Sequence, residues 1–321
     1  AIHVKDGGMT FDFEGSDPQV PGYVNSTLPN TASSVFISLF MSLGKDMRFN
    51  EGALRALEVK APLGSVVNPT EPSPVTGCTV SAAQTISETV WLALSEAIPD
   101  RVDAAWARWC APASMGFNPR TGRPFGDIHF MGRGGSGASQ GSDGWDHLAP
   151  SFCAGSLRSP DPELHELVDP FTVMQYEYLP DSAGAGEWRG GMGVVYRWRS
   201  ETDGIPLANF GGGVSEITAP FGLKGGKGGI PHRVALIKKS GERIKADTES
   251  FYQMDSGDMF EICQSGGGGF GDPKRRPAER VAADVRDGLV SVELARNYYG
   301  VAVDPATFKV DAAATASLRK T

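Results

Sequence analysis

Apolar residues change their period along this chain, and the change divides it. In the first third they recur at helical spacing. Val35, Phe36, Leu39, Phe40 and Leu43 form one stripe, which Asn30 or Thr31 can cap and Gly44 can end. Ile86, Val90, Ala93, Leu94 and Ala97 form a second, over about 81–98, stopped by Pro99. Between them Leu57-Glu58-Val59-Lys60 reads as a short strand and 68–74 as a proline-rich loop. The opening residues, Ile2–Lys5 and Met9–Phe13 around Asp6-Gly7-Gly8, read as a hairpin. From about residue 125 the period falls to two, in runs 173–179, 194–199, 233–238 and 258–263 separated by glycine turns. Helical spacing returns over 277–287 and 291–299, and a polar tail follows residue 310. The expected class is α+β: β-rich, with antiparallel sheets and glycine-rich turns, and helices mainly in the first third and at the C-terminus. The expected portions are 1–120 (mixed, beginning mid-sheet), 121–275 (β-rich, glycine loops) and 276–321 (helices and tail).

Glycine sharpens this picture. The chain has 41 glycines in 321 residues, clustered at Gly132–Gly137, Gly184–Gly193, Gly211–Gly213, Gly222–Gly229 and Gly266–Gly271. Aromatic and branched residues lie between the clusters, so these are not flexible linkers. Such runs cost backbone entropy, and ordered chains keep them where backbone turns sharply, passes close to another surface, or offers bare N–H groups to an anion.

Charge and cysteine narrow the class. A net charge of −8 argues against a nucleic-acid binder, and no apolar run approaches the roughly 18 residues of a membrane span. Cys78, Cys110, Cys153 and Cys263 are scattered without metal or redox spacing. They read as reduced thiols of a cytoplasmic protein. The sequence carries no signal peptide and starts at Ala1, one residue before a strand. That start suggests a piece of a longer polypeptide or one subunit of a split one.

The candidate chemistry begins at Gly132-Arg133-Gly134-Gly135-Ser136-Gly137, followed by Asp143-Gly144-Trp145-Asp146-His147. Arg133 can hold an anionic group, and the N–H groups of Gly134, Gly135 and Gly137 can stabilise an oxyanion. Asp143, Asp146 and His147 can bind a metal if they converge; equally, the aspartates can cap a tight turn. Asp12 and Glu14 share one strand face, and the turn after them can present Ser16, Asp17 and Gln19 to a cleft. Gly222–Gly228 lacks the spacing and hydroxyl of a phosphate-binding loop, and a strand follows it. His3, His129, His165 and His232 lie far apart and read as structural or exposed. Trp145 and the aromatic segment near Phe152 can shape an aryl pocket.

Five segments in order carry a resemblance. They are Asp12–Gln19, Gly134–Gly144, the run Pro180–Gly191 containing Gly-Glu-Trp-Arg-Gly-Gly, Gly266-Gly267-Gly268-Gly269-Phe270-Gly271-Asp272-Pro273, and Val285–Ser291. Over nearly its whole length the chain resembles the C-terminal part of the hydantoinase B/oxoprolinase family. The resemblance implies a B-type component of an ATP-dependent enzyme. Such enzymes phosphorylate the carbonyl oxygen of a hydantoin, 5-oxoproline or other lactam and open the ring by hydrolysis, or carboxylate a ketone such as acetone or acetophenone. A noncatalytic assembly module is the remaining alternative. It also implies a hydantoinase A-type partner carrying ATP and Mg, and an N-terminal half holding a divalent metal (Zn, Mn or Fe). That half should sit against this one, facing the 133–147 loop. The expected catalytic residues are Asp12, Asp17, Arg133, Asp143 and His147. Ser16, Gln19, Gly134, Gly135 and Gly137 are the expected substrate contacts, and no metal ligand is assigned.

Overall fold

The computed structural model describes residues 1–44, 48, 50–151 and 158–320. Two compact units result, Ala1–Asp103 and Ala104–Thr321.

In the first unit, β1 (Ile2–Lys5) and β2 (Gly8–Asp12) form the expected hairpin, and β3 (Leu57–Lys60) adds to β2 in parallel. Helix α1 (Leu28–Leu43) starts one turn earlier than the apolar stripe implied. Thr27 caps it through the Asn30 N–H, and Pro29 suits the first turn, where its missing N–H costs nothing. Helix α2 (Glu51–Leu54) is a single turn. The second expected helix is split: a π-helical turn at Cys78–Ala82 leads into α3 (Ala83–Leu94). The helices α1 and α3 pack through small residues. Ser87 Oγ donates to the Ser34 carbonyl at 3.1 Å and Trp91 Nε1 to the Ser38 carbonyl at 3.1 Å.

The second unit is an antiparallel β-sandwich. Among the described residues its nine strands are β4 (Cys110–Asn118), β5 (Arg123–Ile128), β6 (Phe171–Tyr178), β7 (Val194–Ser200), β8 (Ile205–Gly211), β9 (Arg233–Ile237), β10 (Arg243–Lys245), β11 (Ser250–Met254) and β12 (Met259–Cys263). One sheet runs β10-β9-β12-β7-β6 and the other β11-β8-β4-β5. Their inward positions meet in one core: Tyr196, Trp198, Phe260 and Ile262 from the first, Ile205, Leu207 and Met254 from the second. Each such side chain contributes about 1.5–3 kcal/mol by leaving water. Glu261, on central β12, is held between Arg197 and Arg243.

Helix α4 (Pro162–Val168) leads into β6, and α5 (Ala278–Arg286), α6 (Val292–Asn297) and α7 (Ala312–Leu318) close the chain. The polar tail is therefore helical in its second half. Asp311 caps α7, and Arg319 donates to the Tyr299 and Arg276 carbonyls. Among the described residues no helix is long and apolar enough to cross a membrane. Cys78, Cys110 and Cys263 are free thiols, while Cys153 and Phe152 lie outside the described residues.

The glycine clusters of this unit meet each other. Gly267 donates to Gly191 O at 2.9 Å and accepts from Gly184 N at 2.8 Å; Gly268 donates to Ala105 O at 2.8 Å and accepts from Ala138 N at 2.9 Å. Extended segments from four parts of the chain thus pack backbone on backbone. A Cβ on Gly267 would overlap the Ser136 carbonyl, and one on Gly135 the Gly191 carbonyl. The close approach expected for these runs is to other glycine runs.

Candidate functional site

Strand β6 forms one edge of the five-stranded sheet, and Tyr176 on it anchors a polar chain. The Tyr176 hydroxyl donates to Ser159 Oγ at 3.2 Å and lies 3.2 Å from His147 Nε2. Arg133 Nη2 donates to the same Ser159 Oγ at 2.7 Å. His147 Nε2 lies 2.9 Å from the Met131 carbonyl. A carbonyl only accepts, so Nε2 carries the proton and Nδ1 is left as the ring's acceptor. Burial, and the charge of Arg133, hold this imidazole below its ordinary pKa, against the pull of the Met131 bond. It is therefore neutral near pH 7. His147 also has φ +57°, a left-handed conformation that a non-glycine residue adopts only when its surroundings fix it. Its N–H donates to Met192 O at 2.9 Å.

The structure thus brings together Arg133 and His147. Ser159 and Tyr176 complete the group and had no local signal beyond Tyr176's place in an alternating run. A buried cation, a neutral imidazole and a phenol can hold an anionic oxygen and pass a proton. The cavity beside Arg133 and Gly134 is only ≈10 Å³, enough for one water.

Asp143 has a different setting. Its carboxylate takes a two-pronged bond from Arg276, at 2.7 and 2.9 Å, and a third from the Arg189 N–H at 2.8 Å. Burial opposes its ionisation, but Arg276 and Arg189 outweigh burial and hold the carboxyl below its usual range. Arg276, with its side chain 2% exposed, also meets Asp284 of α5 at 3.0 Å. Asp146 accepts from Met192 N at 2.7 Å. These aspartates fasten the loop to the glycine segments and to the C-terminal helices. Trp145 between them is 71% exposed.

Gly134, Gly135 and Gly137 are buried, and Gly135 N–H donates to the Ser265 carbonyl at 3.3 Å. A Cβ on Gly137 would overlap the Ala104 carbonyl. In the first unit, Asp12 ends β2 and accepts from Glu14 N at 2.9 Å, so Glu14 sits beyond the strand. Ser16 Oγ donates to Phe13 O at 2.8 Å, and Gln19 Oε1 accepts from Thr70 N at 2.7 Å. Asp17 is exposed.

Two histidines read as unrelated come together elsewhere. Asp127 in β5, His129 just past it and His165 in α4 offer ligand atoms all within 4.8 Å of one another. This is a group that can hold a metal ion.

Comparison with known proteins follows this geometry. The family profile described as Hydantoinase B/oxoprolinase matches residues 1–273. The chain is 36% identical over 307 residues to the caprolactamase subunit beta of Pseudomonas jessenii, covering 94% of this chain and 52% of that protein. The crystal structure of the ATP-dependent caprolactamase from Pseudomonas jessenii superposes with TM-score 0.89 at 32% identity, over 100% of this chain and 56% of that one. A nucleotide-free acetone carboxylase structure superposes with TM-score 0.87 at 23% identity, over 99% of this chain and 47% of that one, a likeness of fold. The chain spans about half the length, or less, of the curated relatives it matches.

Proposed function

We propose, from the premise that this chain belongs to the hydantoinase B/oxoprolinase family, that it forms part of the B-type component of an ATP-dependent enzyme that opens a cyclic amide. The observation that carries this reading is the 36% identity over 94% of the chain to a caprolactamase subunit. The ketone-carboxylase alternative rests on a likeness of fold at 23% identity.

In this reading ATP and Mg²⁺ sit on an A-type partner, and a divalent metal belongs to an N-terminal half that completes the pocket. The compartment is the cytoplasm. ATP supplies the phosphoryl group that activates the amide oxygen, and the net reaction consumes two waters, one across the C–N bond and one in releasing the phosphate, while ATP becomes ADP and phosphate. This chain's own groups bind and move protons. The Arg133 guanidinium, fixed by Ser159 at 2.7 Å, holds the anionic oxygen. The neutral His147 keeps its proton on Nε2 toward Met131 and takes one from water at Nδ1. Asp143 and the glycines at 134, 135 and 137 act by shaping the loop that carries these two residues. Asp17, exposed in the first unit, is the carboxylate there that we assign to polar contact with substrate or partner; Asp12, Ser16 and Gln19 hold its turn.

The test is the purified complex with ATP, a lactam and labelled bicarbonate. Ring opening without label in the product supports the reading, whereas label fixed into product makes the enzyme a carboxylase. Arg133→Ala and His147→Asn should each lower kcat by about 10²-fold or more while the complex still assembles. Unchanged turnover in both would leave this chain an assembly module.

A further inference from the structure

We propose that Asp127, His129 and His165 bind one first-row divalent metal ion, of the zinc class, that ties helix α4 to strand β5. Asp127 and His129 are two residues apart at the end of β5, so both point the same way. His165 comes from the middle of α4, whose other apolar residues Leu164, Leu167 and Val168 are exposed. The one residue this helix buries is therefore a histidine.

The spacings suit a metal. Asp127 Oδ2 lies 3.4 Å from His129 Nδ1 and 4.0 Å from His165 Nδ1. Ligands bound at 2.0–2.2 Å in a tetrahedron stand roughly 3.3–3.5 Å apart, so a small rotation of His165 closes the set. The second observation is an orphan. His129 is 1% exposed, and its Nδ1 has no hydrogen-bond partner although it faces the Asp127 carboxylate. Its Nε2 is 2.9 Å from Ser114 Oγ. When Nε2–H donates to Ser114, Nδ1 turns a lone pair toward a carboxylate oxygen, and a cation between them removes that repulsion. His165 Nε2 is likewise sealed without a partner.

The surroundings are those of a metal site. Ser114 fixes the ring of His129 through Nε2, and Asp169, 3.3 Å from the same His165 Nδ1 that faces Asp127, places a second carboxylate beside the ion. Trp198 stacks on His129 at 4.2 Å, and Phe171 lies over His165 at 6.0 Å, so the inner wall is apolar. Asp127 and Asp169 open on a cleft of ≈790 Å³, which gives the ion a way in. Three protein ligands leave a fourth position, directed at the cleft, for water.

The test uses the full complex, stripped with a chelator and titrated with Co²⁺ alone and with Zn²⁺ alone, followed by visible absorption and metal counting. Wild type should bind one equivalent more than Asp127→Asn, which keeps the side-chain shape. The affinity of that equivalent should fall by more than the roughly 10–100-fold typical of losing an outer-shell partner. His165→Gln should behave the same way. Metal bound elsewhere in the complex stays in both variants and is thereby separated. Equal stoichiometry and affinity in wild type and both variants would overturn the proposal. Should either variant fail to fold, anomalous scattering at the zinc edge from wild-type crystals decides it: a peak among the three residues supports the site, and its absence leaves a neutral hydrogen-bonded cluster.

Discussion

Replacing Gly267 by alanine tests whether the glycine clusters exist for backbone packing. A Cβ there would fall well inside 3.0 Å of the Ser136 carbonyl and its neighbour Gly137 N. Carbon and oxygen normally stand about 3.3–3.6 Å apart, so the two segments must separate by more than about 1 Å. Three bonds hold the Ser136 segment in place here: Ala138 N to Gly268 O at 2.9 Å, Gly135 N to Ser265 O at 3.3 Å and Gly191 N to Ser136 O at 2.9 Å. Stretching them past 3.5 Å leaves buried donors and acceptors unpaired, at about 1–3 kcal/mol each. The expected loss is on the order of 5 kcal/mol, comparable to the whole stability of many domains. Urea unfolding followed by tryptophan fluorescence measures it. Gly212→Ala is the control, because nothing lies within 4 Å of its Cβ; it should stay within about 0.5 kcal/mol of wild type. If Gly267→Ala also stays within about 1 kcal/mol, the backbone-packing account is wrong.

Other expectations follow from buried charge and protonation. Asp143→Asn removes one partner of the almost fully buried Arg276 while Asp284 remains, and should cost about 2–3 kcal/mol, visible as a fall in melting temperature. If instead turnover collapses with stability intact, Asp143 acts in chemistry. His232 accepts from Ser265 N at 2.8 Å and lies 3.0 Å from Arg108 O, and burial lowers its pKa to about 4. Its folded pKa is below the ordinary value, so its contribution is complete above about pH 6.5 and is lost as pH falls toward 4, about 3 kcal/mol in all. Urea stability at pH 7.5, 5.5 and 4.5 checks the slope, and an imidazole resonance of His232 titrating near 6.5 would contradict it. His147→Asn, which tolerates the left-handed backbone, should change stability by less than about 1 kcal/mol; a larger loss would mean that the ring is structural.

The sequence by itself determined the elements with a strong period and the motifs with fixed order. The hairpin at Ile2–Asp12, strands β3, β6, β7, β9 and β12, and helices α5 and α6 follow from neighbours a few residues apart, which is where local periodicity acts. Helix α7 escaped because its alanine-rich stretch shows no amphipathic stripe; its hold comes from Asp311 and from contacts of Arg319 with residues 276 and 299. Strand β8 was hidden by Pro206 and Asn209, residues that strands normally avoid, and pairing with β4 and β11 overrides that preference. The glycine positions were plain in the sequence, but their partners were not. No local rule distinguishes a backbone that approaches a ligand from one that approaches another glycine run. The same holds for the joining of His147 to Tyr176, of Asp143 to Arg276, and of Asp127 and His129 to His165. Each pairs residues far apart along the chain, and only the stacking of two sheets and the closure of the C-terminal helices set those distances.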